Sequence, residues 1–153
     1  MSVNMNVEPL VREAVAAGIA ADPDRCAEAL RAMLTTGGEE AVGDSVHLGL
    51  AICYYALLDL HGGQRPDDEQ LTDLARSFVE MNGWAGFDAD EALAFLTALA
   101  DTRPVDDVLP AEVSTRLVFV MAGWLLAAFP PEDREWTDFL DDILDRLESA
   151  PAQ

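Results

Sequence analysis

The chain has 153 residues, of which 29 are acidic and 9 are basic, and half of its residues are apolar, so its formal net charge at neutral pH is −20. This length suits one domain, and the apolar content excludes an acidic disordered chain. All nine basic residues are Arg, which excludes chemistry that needs a lysine. The strong negative charge excludes nucleic-acid binding, because that requires clustered basic residues.

Apolar residues recur along the chain with helical spacing, and no segment alternates as a strand does. We therefore predict an all-α protein, a closed bundle of six or seven helices that forms a single domain over residues 1–153. Pro and Asp mark the helix starts, and Gly and Pro mark the ends. The predicted helices cover residues 8–20, 22–36, 39–61, 67–83, 88–102, 110–129 and 132–149, followed by a frayed tail at 150–153.

Two of these helices, 39–61 and 110–129, are the most apolar parts of the chain. The second contains an uninterrupted apolar run of thirteen residues, 117–129, which is shorter than the roughly 20 residues that a bilayer span needs. We therefore expect no membrane segment. A helix that is apolar all round must be surrounded by protein, so we predict that these two helices form a central pair. Gly49 and Ala122–Gly123 would let their backbones approach closely.

The order of helices indicates an internal duplication. Adding 65 to the numbers of the apolar residues in 67–83 gives those in 132–149, so that Leu71 and Phe78 become Trp136 and Ile143. Adding 66 relates 22–36 to 88–102 in the same way. We predict two three-helix repeats, 22–82 and 88–148, about a pseudo-twofold axis, with helix 8–20 as an addition. The alternative is that two amphipathic helices match because each buries one stripe.

The N-terminal segment lacks the positive charge and the apolar stretch of a secretory signal. Cys26 and Cys53 lie within apolar helical patterns. We therefore expect a cytoplasmic protein in which both thiols are reduced and buried.

Motifs for catalysis, metal binding and cofactor binding are missing from the sequence. Two His and two Cys at wide spacing do not match a zinc site, and a di-iron centre would need Glu-x-x-His on two helices. There is no glycine fingerprint for a dinucleotide. We predict no catalytic residue, no metal and no cofactor, and we favour a protein that is not an enzyme.

His47, Tyr54 and His61 follow one another at steps of seven, so they share one side of helix 39–61, and Asp59 lies near its end. One interpretation is a polar stripe that faces a cleft, with a histidine as general base. The other places both histidines at the helix ends and packs the Tyr54 ring in the protein. We favour the second interpretation, because a histidine also suits the negative end of a helix dipole.

Arg116 precedes the apolar run of helix 110–129. It can pair with Glu112 one turn earlier, or it can bind a carboxylate ligand in a groove. Trp84 and Phe87 lie in the glycine-rich connector 82–87. They either plug the core or form an exposed anchor for a partner, and we favour the plug.

Helix 132–149 carries a dense acidic face opposite its apolar stripe. This face is either solvated or a docking surface that attracts a basic partner. Its residues are Glu135, Asp138, Asp141, Asp142, Asp145 and Glu148.

Three functions remain open on the sequence alone. The first, which we prefer, is a non-enzymatic protein–protein interaction or regulatory module that forms a homodimer. The second is a binder of a small apolar or carboxylate-bearing ligand, in a pocket between the two central apolar helices. The third is an acidic decoy that inhibits a basic protein. The predicted pocket of the second function is lined by Tyr54, Tyr55, Met121 and Trp124, with His47, Asp59, His61 and Arg116 as further candidates.

Overall fold

The computed structural model describes residues 5–129 and 135–149, and within them the protein is an all-α bundle of six α-helices without a strand. The prediction of an all-α bundle is therefore confirmed. The helices are α1 (Glu8–Ile19), α2 (Pro23–Leu60), α3 (Asp68–Met81), α4 (Ala89–Ala100), α5 (Ala111–Ala128) and α6 (Trp136–Ser149).

Helix α2 joins two helices that the sequence separates. The predicted stop is real in the backbone, because Gly37 (φ −151°, ψ 17°) and Gly38 (φ 68°, ψ −153°) leave the helical conformation. The positive φ of Gly38 is accessible to glycine without steric cost. The chain returns to a helix immediately afterwards, so α2 consists of arm 23–36 and arm 39–60.

Local capping by aspartate explains where α2, α3 and α4 begin. The carboxylate of Asp22 accepts a hydrogen bond from the Arg25 backbone N–H at 3.1 Å. Asp67 and Asp88 each form a reciprocal capping box with the residue three positions later, which satisfies N–H groups that a helix start leaves free. The predicted start at residue 132 and the predicted tail at 150–153 lie outside the described residues.

Helix α5 is the centre of the core. Every residue from Leu117 to Leu126 is buried, and α1 and α2 both pack against α5. The expected close approach at Gly49 is present, because a Cβ there would lie 3.1 Å from side-chain atoms of Val118 and Phe119. Gly123 instead faces α1, where a Cβ would lie 3.0 Å from the Val15 carbonyl oxygen.

One expectation about the core therefore needs correction. Arm 39–60 is not surrounded, since Leu50, Tyr54 and Leu58 are half-buried and Asp59 is exposed. Helix α1 is the element that completes the enclosure of α5, and it contributes fully buried side chains such as Val15 to the core. The addition outside the predicted repeats is thus a core helix, while the duplication itself stays a prediction.

By length and composition alone, α2 and α5 are apolar enough to cross a membrane. The same property belongs to the core helix of a soluble protein. In the most apolar stretch of α5, 61% of the residues are buried inside the protein, against 39% for α2. The apolar surface of α5 is therefore largely used in packing against the other helices.

Candidate functional site

A partly open, mainly apolar groove of about 310 Å³ lies where α1, α5, arm 23–36 and segment 83–87 meet. It is termed the Arg116 groove below. Its lining residues are Ala14 on α1, Pro23, Cys26, Ala27 and Leu30 on arm 23–36, Trp84, Ala85 and Phe87 in segment 83–87, and Arg116, Phe119 and Val120 on α5.

One wall of the groove is the pair formed by α1 and arm 23–36. A tight turn joins them at residues 20–22, in which Ala21 has a φ of 55°. The Arg25 guanidinium then donates to both carboxylate oxygens of Glu13 at 2.6 and 3.0 Å. This ion pair holds arm 23–36 beside α1, so that Cys26 on the arm and Ala14 on α1 line the same groove.

The opposite wall is segment 83–87, which follows α3. The Asn82 side chain donates to the Phe78 carbonyl oxygen at 2.9 Å and closes the end of α3. Gly86 then takes a left-handed φ of 79°, and Asp88 caps α4. Phe87 is buried, with its ring centre 6.3 Å from that of Phe78, and acts as the expected plug. Trp84 stays half-buried at the groove.

Arg116 supplies the positive charge of the groove. Seven other arginines among the described residues each lie within 4.0 Å of a carboxylate. Arg116 has no such partner among the described residues, and the pair with Glu112 suggested by their spacing is absent. Its guanidinium lies 5.1 Å from the centre of the Phe87 ring instead, an attractive cation–π contact that leaves its N–H groups available to a ligand.

The rest of the lining carries no charged side chain. Cys26 is the only other titratable group that lines the groove, and burial, followed by the nearby Asp22 carboxylate, raises the pKa of its thiol. The thiol is therefore protonated at neutral pH, and a protonated thiol is a poor nucleophile. The groove can hold an apolar group beside one cation, but this lining offers no activated nucleophile.

The Arg116 groove does not lie between the two apolar helices, where the sequence predicts a pocket. Arm 39–60 and α5 are in direct contact, and the Cys53 thiol donates to the Val118 carbonyl oxygen at 3.4 Å. The Arg116 groove lies elsewhere, on the side of α5 that faces α1, and a pocket between arm 39–60 and α5 stays a prediction. None of the four predicted lining residues, Tyr54, Tyr55, Met121 and Trp124, lines the Arg116 groove.

These four residues have separate positions. Met121 is fully buried in the core. Trp124 packs edge-on against Phe78, with ring centres 5.5 Å apart. Tyr54 and Tyr55 contact each other edge-on at 5.8 Å and are half-buried.

The polar stripe on arm 39–60 is held mainly by contacts within the protein. His61 lies just after the helix end, and its Nδ1 is 2.8 Å from the Leu57 carbonyl oxygen. Asp59 accepts hydrogen bonds from Arg146 of α6 at 2.5 and 3.2 Å. His47 is half-buried within the arm. His61 therefore occupies the helix end, as our favoured interpretation places it, whereas His47 lies well inside the helix.

The acidic face of α6 is exposed, but part of its charge is engaged. Asp141 forms an ion pair with Arg12 of α1. Asp138 accepts a hydrogen bond from the Glu135 backbone N–H at 3.4 Å, and Asp142 also has a partner. Asp145 and Glu148 complete the exposed face. The surface available to a basic partner is smaller than the sequence indicates.

Within residues 5–129 and 135–149, no group of three or more His, Cys, Asp or Glu side chains is placed to hold a metal ion. Comparison of the chain with protein-family models, with curated proteins and with solved structures finds no match. The geometry of the Arg116 groove is therefore the basis for assigning a function to this protein.

Arg116, Trp84 and Phe87 are identifiable as candidates in the sequence, whereas the apolar lining from arm 23–36 and α1 is not. The spacing of Cys26 and Leu30 is that of ordinary core residues on an amphipathic helix, and it does not indicate a groove. The sequence feature that indicates the groove is Arg116, a cation directly before the apolar run of α5. Helical spacing does not predict that this cation lies beside the connector 82–87, because the two are about thirty residues apart in the chain.

Proposed function

We propose that this protein is a non-catalytic binder of a small apolar ligand that carries a carboxylate, and that the ligand occupies the Arg116 groove. The observation that carries this proposal is the position of Arg116, a cation without a carboxylate partner among the described residues, at the edge of an apolar groove. In a protein with a net charge of −20, a positive charge that pairs with no carboxylate in the described part of the chain is available to an external anion.

The chemistry of the groove matches such a ligand. A guanidinium binds a carboxylate through two parallel hydrogen bonds, and the exposed Arg116 can reach a ligand at the open edge of the groove. The volume of about 310 Å³ lies at the lower end of the range of roughly 300–1,000 Å³ that is typical of small-molecule sites. The uncharged remainder of the lining would receive the apolar part.

The protein–protein interaction module and the acidic decoy remain predictions with less support. The large exposed apolar side chains of the described residues, Leu34, Met81, Val108 and Phe129, belong to different elements, and scattered exposed apolar residues are common on soluble proteins. The acidic face of α6 is partly neutralised by Arg12. The groove therefore supports the ligand-binding proposal better than either surface supports docking.

The test compares decanoate with decan-1-ol, which differ in the charged group and share the same apolar chain length. Isothermal titration calorimetry would measure the dissociation constants for the wild type, Arg116→Gln and the control Arg76→Gln. Arg76 is an exposed arginine on α3, paired with Asp73, and it does not line the groove.

We expect the wild type and Arg76→Gln to prefer decanoate by roughly tenfold to a hundredfold, the value of a charge-assisted hydrogen bond. Arg116→Gln should bind both compounds equally and weakly. Decanoate binding of the same strength to Arg116→Gln and to the wild type would contradict the proposal, as would the absence of decanoate binding.

A further inference from the structure

A second apolar groove, of about 230 Å³, lies next to the Arg116 groove. It is termed the Trp124 groove. Its lining residues are Gly18, Ile19 and Ala21 from α1 and the following turn, Met81, Asn82 and Trp84 from the end of α3 and the connector, and Gly123, Trp124, Ala127 and Ala128 from α5.

The two grooves are consecutive sections of one seam between α1 and α5. On α1, Ala14 lines the first groove and Gly18, one helical turn later, lines the second. On α5, Val120 lines the first groove and Trp124, again one turn later, lines the second. Residues one turn apart lie above one another on the same helix face, so the grooves continue one another along the seam.

Trp84 is the partition between them, because it lines both grooves. It belongs to a single 3-10 turn, Gly83–Ala85, and its side chain is only half-buried. A rotation of this one side chain about its Cα–Cβ bond is the movement that would be needed to join the two grooves into a single channel.

The floor of the seam is formed by backbone and small side chains. A Cβ on Gly18 would lie 3.3 Å from the Phe119 carbonyl oxygen, and a Cβ on Gly123 would lie 3.0 Å from the Val15 carbonyl oxygen. The two helices are therefore in backbone contact beneath the Trp124 groove, which makes that section of the seam shallow. A shallow, elongated apolar channel fits one unbranched chain better than a branched or ring-shaped ligand.

The two ends of the seam differ in charge. The Arg116 end holds a cation, whereas the residues that line the Trp124 groove are uncharged. The amide group of Asn82 already donates to the Phe78 carbonyl oxygen, whereas the buried indole N–H of Trp124 has no hydrogen-bond partner among the described residues. The anionic group of an occupant therefore belongs at the Arg116 end, and its uncharged chain belongs in the Trp124 groove.

We propose that the ligand is a single unbranched acyl chain with a terminal carboxylate, bound by Arg116 and extended past Trp84 into the Trp124 groove. This inference depends on the proposed function and specifies the ligand class and its orientation.

The experiment measures the affinity for octanoate, decanoate, dodecanoate and tetradecanoate, each below its aggregation concentration. Met81→Trp blocks the Trp124 groove from its exposed edge, because Met81 lines that groove and is 69% exposed. The matched control is Leu34→Trp, since Leu34 is 51% exposed and lines neither groove. Both substitutions enlarge an exposed apolar side chain, so neither disturbs the core.

We expect the affinity of the wild type and of Leu34→Trp to rise by up to roughly fourfold per added methylene through tetradecanoate. Met81→Trp should bind octanoate as the wild type does, but its affinity should stop rising at a shorter chain length. Trp84→Ala, which removes the partition, should increase the affinity for tetradecanoate more than that for octanoate.

Two results would overturn the inference while leaving the proposed function intact. One is a wild-type affinity that depends on Arg116 but does not rise beyond octanoate. The other is the same dependence on chain length in Met81→Trp and the wild type. Octanoate binding that does not depend on Arg116 would instead overturn the proposed function, and the inference with it.

Discussion

The two most apolar helical segments, α5 and arm 39–60, look equivalent in sequence but differ in burial. In α5, all residues from Leu117 to Leu126 are buried. In arm 39–60, the buried residues form one face, and Leu50, Tyr55 and Leu58 remain half-exposed on the other. A segment of nearly continuous apolar residues is thus a central helix in one case and a partly covered outer helix in the other.

The difference arises from the neighbours of each segment. Helix α5 lies between α1 and α2, and α1 approaches it at backbone distance through Gly18 and Gly123. The outer side of arm 39–60 is met by Arg146 of α6, whose guanidinium lies 5.2 Å from the centre of the Tyr55 ring. Apolar composition therefore indicates that burying a helix is favourable, but the neighbouring helices determine how much of its surface is buried.

The sharpest test of this comparison truncates one leucine in each segment. Leu125 in α5 is fully buried, while Leu50 in arm 39–60 is half-buried. We expect Leu125→Ala to lower the free energy of unfolding by about 2–5 kcal/mol, because it leaves a cavity in the core. Leu50→Ala should cost about 1 kcal/mol, since its side chain loses less buried area. Urea unfolding followed by circular dichroism measures both values, and equal losses would show that the two segments are equally enclosed.

The next test adds a methyl group to a glycine in each segment instead of truncating a leucine. A Cβ at Gly123 would lie 3.0 Å from the Val15 carbonyl oxygen, whereas a Cβ at Gly43 in arm 39–60 meets no atom within 4 Å. We expect Gly123→Ala to lose about 1–2 kcal/mol, because the cost of overpacking exceeds the helix propensity that Ala gains. Gly43→Ala should gain about 0.5–1 kcal/mol.

Urea unfolding of these two variants gives changes of opposite sign if α1 and α5 are in backbone contact. A stabilised Gly123→Ala variant would show that the seam can widen at low cost. That result would also weaken the inference that the Trp124 groove is shallow.

The helix starts were predictable because their causes are local. Asp67 and Asp88 satisfy N–H groups within the next turn, and the effect of Gly37–Gly38 on the backbone is likewise confined to a few residues. The enclosure of α5 was not predictable, because it depends on α1, about one hundred residues earlier in the chain. Small residues such as Gly18 gave no sign of which helix they would contact.

The groove was predictable only in part, for the same reason. Arg116 stood out because an arginine at the start of an apolar run needs a partner, and that need is visible in the sequence. The identity of what surrounds it was not visible, since Ala14, Leu30 and Trp84 come from three separate segments. The sequence predicts a pocket between the two most apolar segments, whereas the Arg116 groove lies between α1, arm 23–36, α5 and segment 83–87.

The smallest expected effect concerns the outer side of arm 39–60. Arg146 donates to Asp59 and covers the Tyr55 ring, but its side chain is 44% exposed. We expect Arg146→Gln to lower the free energy of unfolding by about 0.5–1 kcal/mol, the sum of a partly screened ion pair and a cation–π contact. Added salt should reduce the loss, because it screens exposed charges.

The control is Arg31→Gln, which removes an exposed arginine paired with Glu28 on the same helix. Both substitutions make the net charge more negative by one unit, so the difference between them isolates the contact between α2 and α6. Arg31→Gln should cost no more than about 0.5 kcal/mol. If Arg146→Gln cost as much as Leu125→Ala, the outer side of arm 39–60 would be held as firmly as α5. The contrast between the two segments would then be one of exposure and not of stability.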